Sequence, residues 1–288
     1  MDIDYNTHCY TFKKKTYNKG FLDESVDATY ILHLKDNGRL EGIQNELLKY
    51  QPTKTVYIIY NEGFKKCKKE LIEQISYQDL TDAFLQSFKH ANEHHYNNIL
   101  ILEDDFIFNA SIKEKKHLKS INTFLNDHKH EDFIYYLGCN PILIRPCTYD
   151  FKHYKSYKSC STHSIVYSKA ARMKTMNLQL KHWDVIVENS IPNKYLYYKP
   201  MCYQIYGDTE NKKSWGEKDN IIIFHIKNFI IKNLYMDKQP EPGFTILYTF
   251  SKIICILITI ILVCFIVYFI KILTKHKCYR KRFSKRYK

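Results

Sequence analysis

From Ile253 to Ile270 the chain runs for eighteen residues without a charged side chain, and nearly all of them are apolar. At a helical rise of about 1.5 Å per residue this stretch reaches roughly 27 Å, close to the thickness of a bilayer's hydrocarbon core. Phe244 to Ser251 lengthen it, and Lys252 can carry its ammonium to the surface along its own stem. A helix buried in a globular core normally keeps a polar stripe, whereas aliphatic and β-branched residues fall on every face here. The segment 246–270 therefore predicts a single transmembrane helix, and residues 271–288 a tail beyond it.

The tail also explains the charge of the chain. Nine of the eighteen residues from Lys271 to Lys288 are Lys or Arg. The formal net charge is +14, yet ten of the 44 basic residues and none of the 30 acids lie beyond Thr245. The preceding part carries 34 basic against 30 acidic residues, a net +4. An excess placed this way suits an anionic membrane surface and argues against a nucleic-acid partner. The N-terminus, Met1-Asp2-Ile3-Asp4-Tyr5, lacks the apolar core of a signal peptide. Two orientations follow. The positive-inside tendency puts the tail in the cytoplasm and the domain across the membrane. The missing leader favours a tail-anchored protein with a cytosolic domain, and this is the orientation expected. Cys9, Cys67, Cys139, Cys147, Cys160 and Cys202 form no CxxC pair and read as reduced thiols rather than a disulfide framework or a zinc site.

Residues 1–25, with Lys13-Lys14-Lys15 and few aliphatics, read as an N-terminal arm, and 26–240 as the folded domain. Ala28–Leu34 has the composition of a strand, Asp36-Asn37-Gly38 that of a turn, and Arg39–Tyr50 helical patterning. Thr55–Tyr60 is β-branched and aromatic, and Asn98–Leu102, Phe133–Leu137 and Thr162–Tyr167 supply three more strands. Between Asp79 and His95, Leu80, Phe84, Phe88 and Ala91 recur on one helical face. Ser168 is placed to cap a helix beginning Lys169-Ala170-Ala171. Residues 221–235 suit either an interfacial helix or one packed on the sheet, and Pro240 with Pro242-Gly243 marks a hinge before the span. Strands alternating with helices predict an α/β fold with a mostly parallel central sheet flanked by helices.

The segment Asn98-Ile99-Leu100-Ile101-Leu102-Glu103-Asp104-Asp105-Phe106-Ile107-Phe108 carries the most chemistry. An aliphatic strand runs directly into three carboxylates and back into apolar residues, so the acids are held between buried stretches. The carboxyl ends of strands border the ligand crevice in open α/β sheets. Strand alternation puts Glu103 and Asp105 on one side and Asp104 on the other. Carboxylate oxygens so placed suit a divalent cation, and without one they repel.

The Ile-Leu-Glu-Asp-Asp stretch resembles the acidic motif of family 25 glycosyltransferases, the lipooligosaccharide and collagen galactosyltransferase type with a GT-A fold. Tyr30-Ile31-Leu32-His33-Leu34 with Arg39-Leu40-Glu41 is similar to that family's first strand and basic turn. Thr162 to Ala171, His182-Trp183-Asp184 and Pro200-Met201-Cys202-Tyr203-Gln204 with Thr209 and Ser214 resemble its later blocks. Two places depart from the pattern: His33 stands where the family usually has Asn, and Leu80 to Leu85 replaces a Gly-Cys…Ser-His element.

The resemblance implies transfer of a sugar from a nucleotide diphosphate sugar to a hydroxyl of a glycan, lipid-linked sugar or protein, with Mn²⁺ or Mg²⁺. It implies a metal site at Asp105 with Glu103 and the late His225. Donor contacts fall to Leu34, Arg39, Glu103, Asp104 and Gln204. Asp184 is the implied base, beside Trp183 as a stacking surface. Each has a plainer reading: Arg39 as a solvated helix start, Asp184 as a helix cap, Gln204 as a backbone partner and His225 as a packed core residue. The alternative for the whole chain is a catalytically inactive domain of the same fold serving as a membrane-bound scaffold.

Overall fold

A computed structural model describes residues 2–206 and 229–286 of the chain. Its strands are β1 (Asp2–Asn6), β2 (Tyr10–Thr16), β3 (Ala28–Leu34), β4 (Thr55–Asn61), β5 (Asn98–Glu103), β6 (Phe106–Phe108), β7 (Phe133–Pro146), β8 (His153–Ser168), β9 (Asn193–Tyr197) and β10 (Cys202–Gln204). Its helices are α1 (Leu40–Lys49), α2 (Ser76–Glu93), α3 (Lys115–Asp127), α4 (Lys169–Thr175), α5 (Trp183–Ser190) and α6 (Gly243–Arg286).

Eight strands form one sheet in the order β1-β2-β4-β3-β5-β8-β7-β9, and β10 pairs with β6 separately. Only the centre matches the expected parallel sheet. β3 lies parallel to β4 and β5, and β7 to β9, while β1–β2, β2–β4, β5–β8, β7–β8 and β8–β9 are antiparallel. The sheet is therefore mixed. The departure comes from the β7–β8 hairpin, whose length is obscured by the polar outer half of β8 and by Pro141 and Pro146 in β7, and from the N-terminal strands. Residues 2–16, expected to lie in an arm over 1–25, join the sheet instead: β1 pairs with β2, and β2 with β4, where Tyr10 faces Asn61 and Thr16 faces Thr55. Buried Phe12 and Tyr10 dock this segment, so Lys13, Lys14 and Lys15 are half-buried residues of a strand rather than of a free chain.

The central strands are buried on both faces, which is why they read as unbroken apolar runs. Tyr30, Leu32, Tyr57, Ile59, Ile99 and Ile101 point into one core beneath α2, α4 and α5. Ile31, Val56, Ile58, Leu100 and Leu102 point into the other beneath α1 and α3. The Phe84-Phe88-Ala91 face of α2 is fully buried, as the periodicity predicts. Ser168 Oγ accepts the Ala171 backbone N–H at 3.2 Å and caps α4.

Two readings need correction. Cys9 and Cys67 form a disulfide, fifty-eight residues apart in sequence, because the β2–β4 pairing brings them together. No local spacing announces such a bond. The segment around Pro242 is not a loose hinge: Tyr203 OH donates to Glu241 Oε1 at 2.7 Å, and Phe244, Tyr248 and Ser251 of α6 are buried against the domain. Of the 221–235 stretch, residues 221–228 lie outside the described part, while Ile230, Ile231 and Leu234 pack on the core. Within α6, Gly243–Thr274 is long and apolar enough to cross a membrane, with a mean hydropathy of 3.4 in its most apolar window.

Candidate functional site

Because β3 and β5 run parallel, with Leu32 beside Glu103, their carboxyl ends lie together. The three acids follow at that edge. Glu103 closes β5, and Asp104 and Asp105 occupy the tight turn before β6. Facing them, the turn after β3 folds back through Asn37, whose Oδ1 accepts the Arg39 backbone N–H at 3.1 Å. That side-chain turn places Arg39 at the head of α1.

Asp104 ties the two loops. It accepts the Leu34 backbone N–H at 3.2 Å, Asn37 Nδ2 at 2.5 Å and Arg39 Nη1 at 2.6 Å, and His33 Nδ1 stands 3.5 Å away. Burial alone would raise this carboxyl, but His33, Arg39 and Asn37 outweigh it and hold it below the usual range.

Asp105 has a different balance. Arg39 Nη1 lies 3.1 Å from Oδ2, and Gln204 Nε2 donates to both carboxylate oxygens at 3.1 and 3.3 Å. Burial nevertheless lifts Asp105 to about 6, against the opposing pull of Arg39. Glu103, which accepts Thr162 Oγ1 at 3.0 Å, is raised further by burial, Asp105 and Asp184. Asp184 sits in the first turn of α5, near enough for its charge to bear on Glu103 and Tyr206. Arg39 in turn is raised: burial lowers it, and the carboxylates more than compensate.

Gln204 is brought here by the close passage of two chains. A Cβ on Gly138 of β7 would stand 1.8 Å from the Cys202 carbonyl oxygen, so only glycine lets β10 cross at this point. Met201 N–H then donates to the Leu137 carbonyl at 2.7 Å. Ser161, at a left-handed φ of 75°, donates its hydroxyl to Gln204 Oε1 at 2.6 Å. Such a backbone costs about 1–3 kcal/mol for a residue with a side chain, and here it fixes the amide that holds Asp105.

Leu34, Arg39, Glu103, Asp104, Asp105 and Gln204 thus converge, and Asp184 on α5 is close enough for its charge to raise Glu103. Gln204 serves carboxylate and hydroxyl rather than backbone. Trp183 does not join them: it is buried, stacked on Phe84 at 4.6 Å, with Nε1 donating to Tyr167 OH at 2.9 Å. It is a core residue with no face for a sugar. His225, Thr209 and Ser214 lie outside the described residues. His33, Asn37, Ser161 and Thr162 were missed as site residues. Asn37 alone carried a local signal, since Asx turns favour helix starts.

The carboxylates here are the groups that would hold a divalent cation. Glu103 and Asp105 offer hard carboxylate oxygens, both held above their usual range by burial, and a cation would relieve that cost. Arg39 already offsets part of the charge, so cation entry requires its guanidinium to move off Asp105.

No protein-family profile matches the chain, nor does any curated protein. Among solved structures it is similar to a glycosyltransferase involved in the glycosylation of the major capsid of PBCV-1, at 11% identity over 65% of this chain and 97% of that one, with a TM-score of 0.30.

Proposed function

We propose that the chain is a membrane-anchored glycosyltransferase, moving a sugar from a nucleotide diphosphate sugar to a hydroxyl of a glycan, lipid-linked sugar or protein. One observation carries this reading: Asp105 and Asp104, at the end of β5, share the guanidinium of Arg39 from the turn after β3. Acids and a phosphate-matching cation therefore meet at the carboxyl ends of parallel strands, where such sheets bind ligands.

Glu103 and Asp105 would hold Mn²⁺ or Mg²⁺, which supplies charge compensation to the departing diphosphate. Arg39 is suited to a bidentate contact with phosphate oxygens once it leaves Asp105. Asp104 keeps the Leu34–Arg39 turn in place through three donors. Gln204 fixes the Asp105 carboxylate. Asp184 accepts the proton of the attacking hydroxyl, and its charge beside Glu103 supports that placement.

α6 spans the membrane in this reading, and the tail binds its anionic surface. The Cys9–Cys67 disulfide favours an oxidising compartment for the domain, which agrees with the positive-inside tendency of the tail and opposes a cytosolic domain.

Incubating the detergent-solubilised chain with a panel of nucleotide sugars and Mn²⁺ tests the reaction, with mass spectrometry of donor and acceptor as readout. Metal-dependent hydrolysis or transfer that Asp105→Ala abolishes is the expected result. Absence of both turnover and nucleotide binding would instead favour the scaffold reading, which has its own support: Arg39 already neutralises two of the three acids internally.

A further inference from the structure

At the far end of the sheet from this crevice, three side chains from distant parts of the sequence meet. His90 and His94 lie one helical turn apart at the end of α2, their rings stacked with centroids 4.1 Å apart. Both present Nε2 to the same oxygen of Asp4 on β1: His90 at 3.2 Å and His94 at 3.5 Å from Oδ2. The candidate donor atoms all lie within 4.8 Å of one another. Tyr30, which supports His90 from below, stands four residues before Leu34 on β3, about 13 Å from the crevice end of that strand.

The spacing is informative. Charge-assisted N–H···O contacts close to about 2.7–2.9 Å. Two ligands on one tetrahedral zinc ion, each bonded at about 2.0–2.1 Å, stand about 3.3 Å apart. The two N···O separations bracket that value.

The outer contacts orient the same atoms. His94 Nδ1 lies 2.9 Å from the His90 carbonyl oxygen, which can only accept, so the proton sits on Nδ1 and Nε2 keeps its lone pair. His90 Nδ1 lies 2.9 Å from Tyr30 OH, which can accept an Nδ1–H when a metal takes Nε2 in place of its 3.2 Å hydrogen bond to Asp4 Oδ2. Metal-bound histidines are held this way by second partners. The remaining oxygen of Asp4 faces Lys14 Nζ at 3.9 Å. His90 is wholly buried, while Asp4 and His94 are 22% and 36% exposed at their side chains, which leaves the fourth tetrahedral direction open to water.

We propose that Asp4, His90 and His94 form a zinc-class metal site that clasps the edge strand β1 to α2. Its nitrogen-rich ligand set distinguishes it from the all-oxygen crevice of Glu103 and Asp105, and it stands whether or not the chain transfers sugars.

The test uses the full chain in detergent, free of any histidine tag and stripped with EDTA. Titration with Co²⁺ alone should give one equivalent of the intense visible absorption of tetrahedral cobalt, displaced by Zn²⁺. His94→Ala and Asp4→Asn, at partly exposed positions, should each weaken binding by at least about tenfold. Asp105→Asn should leave the spectrum unchanged. In the wild-type chain, Zn²⁺ should also shield His94 from diethylpyrocarbonate, read by peptide mass spectrometry. The proposal is overturned if the wild type yields no tetrahedral absorption, if both ligand variants bind with unchanged affinity, or if Zn²⁺ leaves His94 fully reactive.

Discussion

Arg39 Nη1 lies 2.6 Å from Asp104 Oδ1, and this contact joins the head of α1 to the turn that ends β5. Removing the guanidinium leaves two buried carboxylates facing each other without their cation. Arg39→Ala should lower stability by about 3 kcal/mol, within the usual range for breaking a buried pair, and Arg39→Lys by less because the fork geometry is lost but the charge is kept. Thermal unfolding at pH 7.5 and pH 5 checks both; the loss should shrink at the lower pH, where Asp105 takes up a proton.

The raised Asp105 has a definite sign. Its folded value of about 6 exceeds the ordinary carboxylate value, so its contribution to stability is fully present below about pH 4 and is lost as pH rises through 6. Metal binding runs the other way, because the ion displaces that proton. Mn²⁺ affinity should fall by at least about tenfold per pH unit below 6 in a titration by calorimetry or nucleotide-probe fluorescence, since Glu103 releases a proton as well. In Asp105→Asn the fall should become shallower by the one proton that Asp105 contributes.

Asp184→Asn separates base from structure. Loss of a positioned base costs about 10²–10⁴ in rate while nucleotide binding is kept. A rate loss matched by a weaker nucleotide affinity would reassign Asp184 to holding Glu103 in place. Steady-state kinetics with direct nucleotide binding distinguishes the two.

Gly138→Ala probes the crossing that delivers Gln204. The added methyl would meet the Cys202 carbonyl, so β10 must move. A cost of about 1–3 kcal/mol in unfolding experiments is expected. Nucleotide-dependent activity should fall with it, since Gln204 is carried on the displaced strand.

Cys9 and Cys67 should resist alkylation in the unreduced protein and react only after reduction, whereas Cys147 and Cys160, both exposed, should react at once. Peptide mass spectrometry reads this directly. Protease protection of sealed membranes then places the domain, with the luminal or external side expected.

What could be read in advance follows from local physics. β3, β4 and β5 announce themselves because both faces are buried, and Ala28–Leu34 is found where the composition puts it. The acids were legible because charge follows Leu102 without an intervening turn. By contrast, the outer half of β8 carries Lys155, Tyr157 and Lys158 among serines, a pattern that a two-stranded ribbon tolerates and that resembles a loop, and that of β7 is bracketed by Pro141 and Pro146. β1 depends on pairing with β2 and β2 on β4, the latter a contact no window of sequence contains. Trp183 went to the core because Phe84 and Tyr167 wait for it there, from elements eighty and more residues upstream or across the sheet. His90 and His94 were spaced one turn apart in plain view, but their partner Asp4 lies eighty-six residues away.

The docking of α6 sets a height. Through residue 274, Ser251 is the last fully buried residue of α6, bonded through Oγ to the Pro141 carbonyl, and Lys252 next to it lies over the rings of Tyr154 and Tyr198. From Lys252 to Thr274 the helix measures about 33 Å, scarcely more than the hydrocarbon it has to cross. No stalk is left over. Under the proposed reading the domain would therefore rest directly on the headgroups, and the acceptors within its reach would be those standing close to the lipid.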